Sequence, residues 1–317
     1  MPTELSIIIV NWNGGEFVRR CIESIVASSP QVSYDIIVVD NASTDDSVRW
    51  LRSDEAKMCL QGTQLYVLEN SENLGFSRAN NQGIAYSEAP FVFLLNPDTE
   101  VMPGAIDALV ATLKSDGRIG ACGPRLINRD GSLQPSVGHN PVGGWEILVL
   151  GLRLHRLMPR SLRGEIMLGS HWDHARRRQA EFLSGAAILA KRKMIDEVGG
   201  LDERFHMYGE DVEWCLRIIR SEWSLVFEPA AVVTHLGGQS SMQRWSDLER
   251  NRNSIEGLLR FQKYCLPRRR LVSYILASSF ITSGAHMWRS LRGRPTDETK
   301  NALGVYAHYL KQALWEK

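Results

Sequence analysis

The chain has 317 residues, of which 44% are hydrophobic and 23% charged, and its formal net charge is +1. This composition is typical of a globular protein with one large domain or two ordinary ones. The five cysteines are odd in number and widely spaced, and none forms a C-x-x-C pair, so the pattern excludes a disulfide framework and favours free thiols in a reducing compartment.

The near-neutral charge hides an asymmetry along the chain. Residues 1–150 carry 10 Lys and Arg against 18 Asp and Glu, whereas residues 151–317 carry 27 against 18. Residues 244–317 alone carry 14 basic and 6 acidic side chains. A basic C-terminal segment suggests an anionic surface as a partner. The N-terminus lacks the basic start and apolar core of a secretory signal, so we expect a cytoplasmic protein.

Four apolar runs in the first hundred residues predict buried strands, and helical periodicity between them predicts crossover helices. Alternating strands and helices indicate an α/β architecture with a mostly parallel sheet of the nucleotide-binding type. The sequence has neither the glycine loop of dinucleotide-binding proteins nor that of P-loop proteins, so other residues would have to bind a diphosphate. The predicted strands are Leu5–Val10, Ile36–Val39, Leu65–Leu68 and Phe91–Leu95.

The pattern changes after residue 140. Residues 140–180 are arginine-rich and predict a long, partly mobile excursion over the sheet. Regular structure is predicted to return as one strand over Phe182–Ala190, a helix from Val212 and a last strand at Val232–Val233. We therefore divide the chain into a domain of residues 1–240, which includes the excursion over residues 140–180, and a basic helical extension of residues 241–317.

Acidic side chains stand at comparable places in these elements. Asp40 and Asp98 follow strands, Glu210 and Asp211 begin a helix, and His235 follows the last strand. Ligands of open α/β sheets bind beyond the carboxyl ends of the strands, where such groups can act together. Each residue also has a structural alternative, namely an Asx turn for Asp40, a helix cap for Asp211 and a structural histidine at position 235.

Six motifs in this order resemble the family-2 glycosyltransferases, inverting nucleotide-sugar enzymes of the GT-A fold, and within them the bacterial rhamnosyltransferase-like branch. The resemblance covers roughly residues 5–240 and implies a GT-A fold. The motifs are Val10-Asn11-Trp12-Asn13, Val39-Asp40-Asn41-Ala42-Ser43-Thr44-Asp45, Asn73-Leu74-Gly75-Phe76, Asn96-Pro97-Asp98, Gly209-Glu210-Asp211-Val212-Glu213 and His235-Leu236-Gly237-Gly238.

The resemblance implies a divalent metal cofactor, Mg²⁺ or Mn²⁺, at the diphosphate of the donor. Asp98 matches the metal-binding acid of the family's D-x-D motif, and His235 matches a position that can give a further ligand. Asn96 replaces the first acid of that motif, so one negative charge is missing, although an amide can still bond to the ribose.

The same resemblance assigns the remaining site residues. It implies that Asp40 accepts the N3–H of uracil or thymine, and that Asp211 is the general base beside Glu210. Arg78 is expected at the base or the diphosphate, with a solvated helix arginine as the alternative. The other expected nucleotide-sugar contacts are Asn11, Trp12, Asn13, Asn73 and Gly75.

The segment Leu271–Trp288 contains no Asp, Glu, Lys or Arg and approaches the length of a membrane span, but its serines make it too polar for that. A helix lying in the membrane interface fits better, with Arg289, Arg292 and Arg294 at its far end. The alternative is an ordinary helical subdomain or a homodimer interface. A peripheral position at the inner face of the membrane would suit a lipid-linked acceptor.

The expected function is transfer of a sugar, best matched by L-rhamnose from dTDP-L-rhamnose, to a hydroxyl of a bacterial surface glycan or lipid-linked acceptor. The donor preference follows from the resemblance alone, and no nucleic-acid partner is expected. The alternatives are a UDP-sugar-dependent transferase of the same family, a catalytically silent nucleotide-sugar or glycan-binding protein, motivated by Asn96, and a membrane-recruitment scaffold that uses the basic C-terminal segment.

Overall fold

The computed structural model describes residues 3–138, 144–157, 159, 172–237 and 246–315. Over the first 138 residues, strands and helices alternate as the periodicity predicts. The elements are strands β1 (Leu5–Asn11), β2 (Tyr34–Asp40), β3 (Gln64–Glu69), β4 (Phe91–Leu95), β5 (Thr99–Val101), β6 (Ile119–Ile127), β7 (Leu133–Gln134) and β8 (Val137–Gly138), and helices α1 (Gly15–Ala27), α2 (Ser47–Leu51), α3 (Asp54–Leu60), α4 (Phe76–Tyr86) and α5 (Ala105–Ser115).

The second half completes the sheet and then becomes helical. Its elements are helix α6 (Gly144–Gly151), a 3₁₀ turn (Leu154–Leu157), strands β9 (Arg178–Ala180), β10 (Phe182–Leu183) and β11 (Ala187–Lys191), helices α7 (Arg192–Val198) and α8 (Glu210–Arg220), strand β12 (Ser224–His235), and helices α9 (Asp247–Cys265), α10 (Arg268–Leu291) and α11 (Asp297–Trp315).

The main sheet has the strand order β3-β2-β1-β4-β11-β6-β12-β5. Strands β3, β2, β1 and β4 are parallel, and β6 is parallel to β12. Strand β11 lies antiparallel between β4 and β6, and β5 is antiparallel to β12. The parallel half places the ends of β1 and β2 side by side, with Asn11 opposite Asp40. The end of β4 is next to them, because Ile9 is opposite Leu95.

Strand β1 shows why this sheet is buried on both faces. All seven of its residues are buried, and successive side chains point to opposite sides. Leu5, Ile7 and Ile9 join one hydrophobic cluster with α1 and α5, whereas Ile8 and Val10 join a second one with α4 and α8. An uninterrupted apolar run therefore serves two cores, as expected of a parallel strand covered by helices.

The three C-terminal helices build a third core of their own around Leu259, Ile275 and Tyr306, and Ile147 of α6 packs against it. This helical unit also contacts the sheet domain closely. A Cβ atom on Gly257 of α9 would lie 2.4 Å from the carbonyl oxygen of Tyr208, so the two backbones meet there. Within the ranges given above, no helix is both long and apolar enough to cross a membrane.

Two element predictions need correction. The single strand expected over Phe182–Ala190 is in fact two strands of different sheets. Strand β10 pairs with β8 in a separate two-stranded sheet, β11 lies in the main sheet, and Gly185 between them donates to Asp211. Strand β12 has twelve residues, of which the predicted Val232–Val233 are the last part. Of the excursion over 140–180, residues 140–143, 158 and 160–171 lie outside the described residues, as do Gly238 and residues 239–245.

Candidate active site

A pocket of about 270 Å³ opens where β1, β2 and β4 end. It brings together eight of the residues that the sequence singles out, from five separate segments of the chain. Because these segments are far apart in sequence, only the fold places them around one cavity. The eight are Trp12, Asn73, Gly75, Asn96, Asp98, Glu210, Asp211 and His235.

Asp98 and His235 face each other at one wall of this pocket. His235 ends β12, which pairs with β5 so that His235 is opposite Thr99, the residue after Asp98. His235 Nε2 lies 3.4 Å from Asp98 Oδ1. That nitrogen is buried and makes no hydrogen bond within the described residues. The strand pairing thus presents an oxygen and a nitrogen ligand to the same volume.

A chain of hydrogen bonds orients the His235 ring from behind. His235 Nδ1 lies 2.6 Å from Gln134 Oε1, Gln134 Nε2 donates to Asn128 Oδ1, and Asn128 Nδ2 donates to Ser132 Oγ. Ser132 donates in turn to Asp130 at 2.6 Å. An ionised carboxylate only accepts, so it sets the direction of every bond in the chain. Nδ1 therefore donates to Gln134, and in a neutral imidazole the lone pair of Nε2 faces Asp98.

The residues present fit a divalent cation. Apart from the lone pair of His235, the amide oxygen Oδ1 of Asn96 is buried in the pocket and has no hydrogen-bond partner among the residues described. No group of three His, Cys, Asp or Glu side chains forms a cation cluster in the described part of the chain. Mg²⁺ is commonly held by one or two protein carboxylates together with substrate phosphates, so a pair of ligands is sufficient for a shared site.

Glu210 and Asp211 begin helix α8 on another wall. Gly209 precedes them with φ 97°, a left-handed conformation that glycine adopts without strain, and this turn aims the first helical residues into the pocket. The two neighbouring carboxyls have different surroundings. Asp211 accepts hydrogen bonds from the backbone N–H groups of Gly185 at 3.1 Å and Val212 at 2.8 Å. Glu210 Oε2 is buried and finds no partner in the described ranges.

These surroundings separate the two acids chemically. Burial, with a smaller contribution from the charge of Asp211, raises the pKa of Glu210 to about 8. Burial also raises the pKa of Asp211, but the N–H groups of Gly185 and Val212 oppose that shift because they stabilise the charged form. At neutral pH, Glu210 therefore holds a proton, whereas Asp211 is the member of the pair better able to accept one.

Asp40 does not line the pocket. It is 2% exposed, and it accepts hydrogen bonds from Asn11 Nδ2 at 2.7 Å, from Ser43 Oγ at 2.6 Å and from Ser43 N at 2.9 Å. Asn13 accepts from the backbone N–H of Thr44 at 2.7 Å. Asn11, Asn13 and Asp40 therefore shape the loop after β2, behind the pocket wall. The side chain that this strand end presents to the cavity is that of Asn41.

Asn41 connects this strand end to the segment before α4. Its Nδ2 donates to the carbonyl of Gly75 at 3.2 Å, and its Oδ1 accepts from Asn70 at 2.9 Å. Asn73 Oδ1 accepts from the N–H of Gly75 at 3.0 Å. At Gly75, φ is 87°, and a Cβ atom there would lie 2.3 Å from Nδ1 of His206. Glycine is required for both reasons.

Arg78 lies outside the cavity. It is exposed on α4 and pairs with Glu203 at 3.1 Å, which matches the alternative of a solvated helix arginine. Sequence reasoning in turn overlooked several pocket residues. Asn41, like Val10, Phe76 and Pro97, lies inside a family motif without an expected contact, and Ser184–Ala186 lie in the segment predicted to be a strand. The overlooked lining residues are Val10, Asn41, Phe76, Pro97, Ser184, Gly185, Ala186, His206, Met207 and Tyr208.

Comparison with known proteins identifies the family of the chain. The sequence profile described as glycosyl transferase family 2 matches residues 6–199, more than half of the chain. The N-acetylglucosaminyl-diphospho-decaprenol L-rhamnosyltransferase of Mycobacterium tuberculosis is 29% identical over an alignment of 262 positions, which covers 74% of this chain and 76% of the relative.

Solved structures support the fold. GalNAc-T7, solved with UDP, GalNAc and Mn²⁺, superposes with a TM-score of 0.61 at 17% identity, over 99% of this chain and 56% of that one. The mannosyltransferase PcManGT from Pyrobaculum calidifontis, solved with GDP-Man and Mn²⁺, superposes with a TM-score of 0.55 at 15% identity, over 99% of this chain and 88% of that one. The chain belongs to glycosyl transferase family 2 and is a glycosyltransferase with the GT-A fold.

Proposed function

We propose that this glycosyltransferase transfers L-rhamnose from dTDP-L-rhamnose, with inversion, to a hydroxyl of a bacterial surface glycan or lipid-linked acceptor. The M. tuberculosis relative, whose name gives both a rhamnosyl donor and a lipid diphosphate acceptor, supports this choice of substrates. A UDP-sugar donor is the second candidate, because UDP is bound in the GalNAc-T7 structure. A lipid-linked acceptor would require the enzyme at the inner face of the membrane.

The observation that carries the reaction type is the convergence of Asp98, His235 and Asp211 on one cavity from three separate elements. Asp98 and His235 would hold Mg²⁺ or Mn²⁺ at the donor diphosphate. A cation there stabilises the negative charge that accumulates on the leaving group. Gln134 keeps the Nε2 lone pair of His235 directed at this position through the hydrogen-bond chain that ends at Asp130.

We assign the proton acceptor to Asp211. An acceptor hydroxyl attacks the sugar only as its proton is removed, and a carboxylate at the cavity wall can take that proton. The two backbone N–H groups hold the Asp211 carboxylate in one orientation, so its free lone pairs are positioned before the acceptor arrives. Direct attack from the side opposite the diphosphate inverts the anomeric centre without a covalent enzyme intermediate. Glu210 stays protonated and adds no second negative charge.

For the nucleotide we propose contacts with Trp12 and Asn41 rather than with Asp40. Asn41 keeps one amide hydrogen and one lone pair beyond its bonds to Gly75 and Asn70, which is enough to bind one polar edge of a base or ribose. Asp40 acts through its neighbours, since it holds Asn11 and Ser43 in place. Asn73 and Gly75 set the shape of the wall between them.

A thermal-shift panel of dTDP- and UDP-sugars, with and without Mn²⁺, tests the donor and the cation together. Ligands that bind the folded state raise its melting temperature by mass action. We expect the largest rise with dTDP-L-rhamnose and Mn²⁺, and we expect Asp98→Asn to remove the Mn²⁺-dependent part. Asp173→Asn, at an exposed position outside the pocket, is the matched control. A larger rise with UDP-sugars would replace the proposed donor.

A further inference from the structure

Helix α10 carries an apolar surface that no described part of the protein covers. Phe280 and Met287 are each 63% exposed, and Leu291 is 81% exposed. A helix packed in the interior of a domain would bury such residues, and isolated exposed apolar side chains are common only when they are scattered. Here they form one row, the apolar stripe, which consists of Leu276, Phe280, Met287, Trp288 and Leu291.

The spacing of the stripe places its members on one face of the helix. At about 100° per residue, positions 276, 280, 287, 288 and 291 fall within an arc of about 120° around the helix axis. At about 1.5 Å per residue the stripe extends over roughly 22 Å. The other face of α10 is used inside the protein, where Leu271, Tyr274 and Ile275 pack against α9 and α11. The helix therefore has two apolar faces, and the described residues cover only one of them.

Positive charge flanks the stripe at both ends. Residues 266–296 contain six arginines and no Asp, Glu or Lys. Arg268, Arg269 and Arg270 are exposed where the helix begins. Beyond its last turn, the guanidinium groups of Arg292 and Arg294 lie 4.6 and 5.0 Å from the ring centre of Trp288. An apolar face bounded by arginines and an interfacial tryptophan matches the chemistry of a lipid headgroup boundary.

The segment that follows helix α6 also exposes apolar and basic side chains next to α10. Helix α6 packs directly on α10, since a Cβ atom on Gly151 would lie 2.6 Å from the side chain of Ile281. The residues that follow it include Leu152, Leu154 and Leu157, which are 50%, 40% and 84% exposed. Arg153 and Arg156 lie between them and are exposed as well. Apolar and arginine side chains thus alternate on a second segment that adjoins α10.

We propose that the apolar stripe of α10 seats the enzyme on an anionic lipid surface, with the flanking arginines bound to lipid phosphates. A second copy of the chain fits less well, because a two-fold interface brings the same patch together from both subunits and would place arginines against arginines. An anionic leaflet supplies the opposite charge at Arg268, Arg269, Arg270, Arg292 and Arg294, whereas Arg289 is already paired with Glu298 at 3.0 Å. Membrane binding by the stripe depends on the proposed function only for its biological role, which is to hold the pocket near a lipid-linked acceptor.

The test is sedimentation of the full-length protein with vesicles of phosphatidylglycerol and phosphatidylcholine, and with vesicles of phosphatidylcholine alone. We expect binding to the anionic vesicles and little to the neutral ones. The double variant Phe280→Ser with Leu291→Ser should bind at least about tenfold less, and Arg292→Gln with Arg294→Gln should lose a similar factor. Met58→Ser, at a residue that is 80% exposed on α3, is the matched control and should bind like the wild type.

The stripe residues are exposed, so these variants should fold, which circular dichroism verifies. Unchanged vesicle binding in the Phe280 and Leu291 variant, or no binding by the wild type, overturns the proposal. So does a concentration-dependent dimer that the same variant abolishes, because the stripe would then be an interface between copies. Vesicle binding needs no donor or acceptor, so its failure is distinguishable from failure of the proposed transfer reaction.

Discussion

Replacing Glu210 by glutamine should change how the stability of the protein depends on pH. The folded pKa of Glu210 is about 8, whereas a glutamate in an unfolded chain ionises near 4.5. Between these values the folded state binds one proton more than the unfolded state, so the free energy of unfolding falls as pH rises. The stabilising contribution is complete below about pH 4.5 and is lost as pH rises through about 8.

The size of the effect follows from the same linkage. One proton difference gives a slope of about 1.4 kcal/mol per pH unit, so up to about 4 kcal/mol is lost between pH 5 and 8. The glutamine side chain of the Glu210→Gln variant is neutral at every pH and cannot contribute this slope. The free energy of unfolding of the variant should therefore rise steadily relative to that of the wild type as pH rises. The change from carboxyl to amide keeps the volume of the buried side chain.

Urea denaturation of both proteins at intervals from pH 5 to 8.5 measures the difference. Glu88→Gln makes the same chemical change at an exposed position and is the control, which should parallel the wild type. Because Glu210 is already neutral at pH 7, Glu210→Gln should also retain transfer activity there. Equal slopes for the wild type and Glu210→Gln would show that Glu210 is not protonated in the folded state, and the division of roles with Asp211 would be wrong.

Two further predictions concern the pocket wall and the cation. Gly75→Ala should weaken donor binding strongly in calorimetry, because the added Cβ would meet His206. The control is Gly62→Ala, where φ is 94° and the space around the residue is open; it should lose about 1 kcal/mol of stability and keep its donor affinity. Equal donor affinities in the two variants would contradict the contact with His206. Gln134→Leu should weaken Mn²⁺ binding about 10- to 100-fold in titration calorimetry with dTDP present, and Gln134→Glu should restore most of it, since it again accepts from His235 Nδ1. Equal Mn²⁺ affinity in Gln134→Leu would remove Gln134 from the site.

The parts of the fold that sequence predicts best are those where burial dictates residue type. The runs Leu5–Val10 and Phe91–Leu95 are apolar because both faces of their strands are covered, and they appear in the structure within a residue of the predicted limits. The antiparallel position of β11 was not predictable in this way, because an apolar strand has the same composition in either direction. Its neighbours are chosen by contacts distant in sequence.

In the candidate site, too, some residues carry a local sequence signal and others do not. Asp98, His235 and Asp211 were singled out because acidic or imidazole groups at strand or helix ends match family motifs, and the fold brings the three side chains to one cavity. Gln134 carries no such signal, since it acts only through a hydrogen bond to a residue 101 positions away. Asp40 and Asn41 are adjacent and each is 2% exposed, so burial does not distinguish them. Only Asn41 lines the pocket, because the two side chains leave the strand end in different directions.

The central claim is that Asp211 accepts the proton of the attacking hydroxyl in a pocket that binds the donor without it. The most direct measurement compares Asp211→Asn with the wild type in two assays, namely sugar transfer from dTDP-L-rhamnose and donor affinity by calorimetry. We expect transfer to fall by at least about a hundredfold while the donor dissociation constant stays within about threefold. Transfer at the wild-type rate, or loss of donor binding equal to the loss of transfer, would contradict the account.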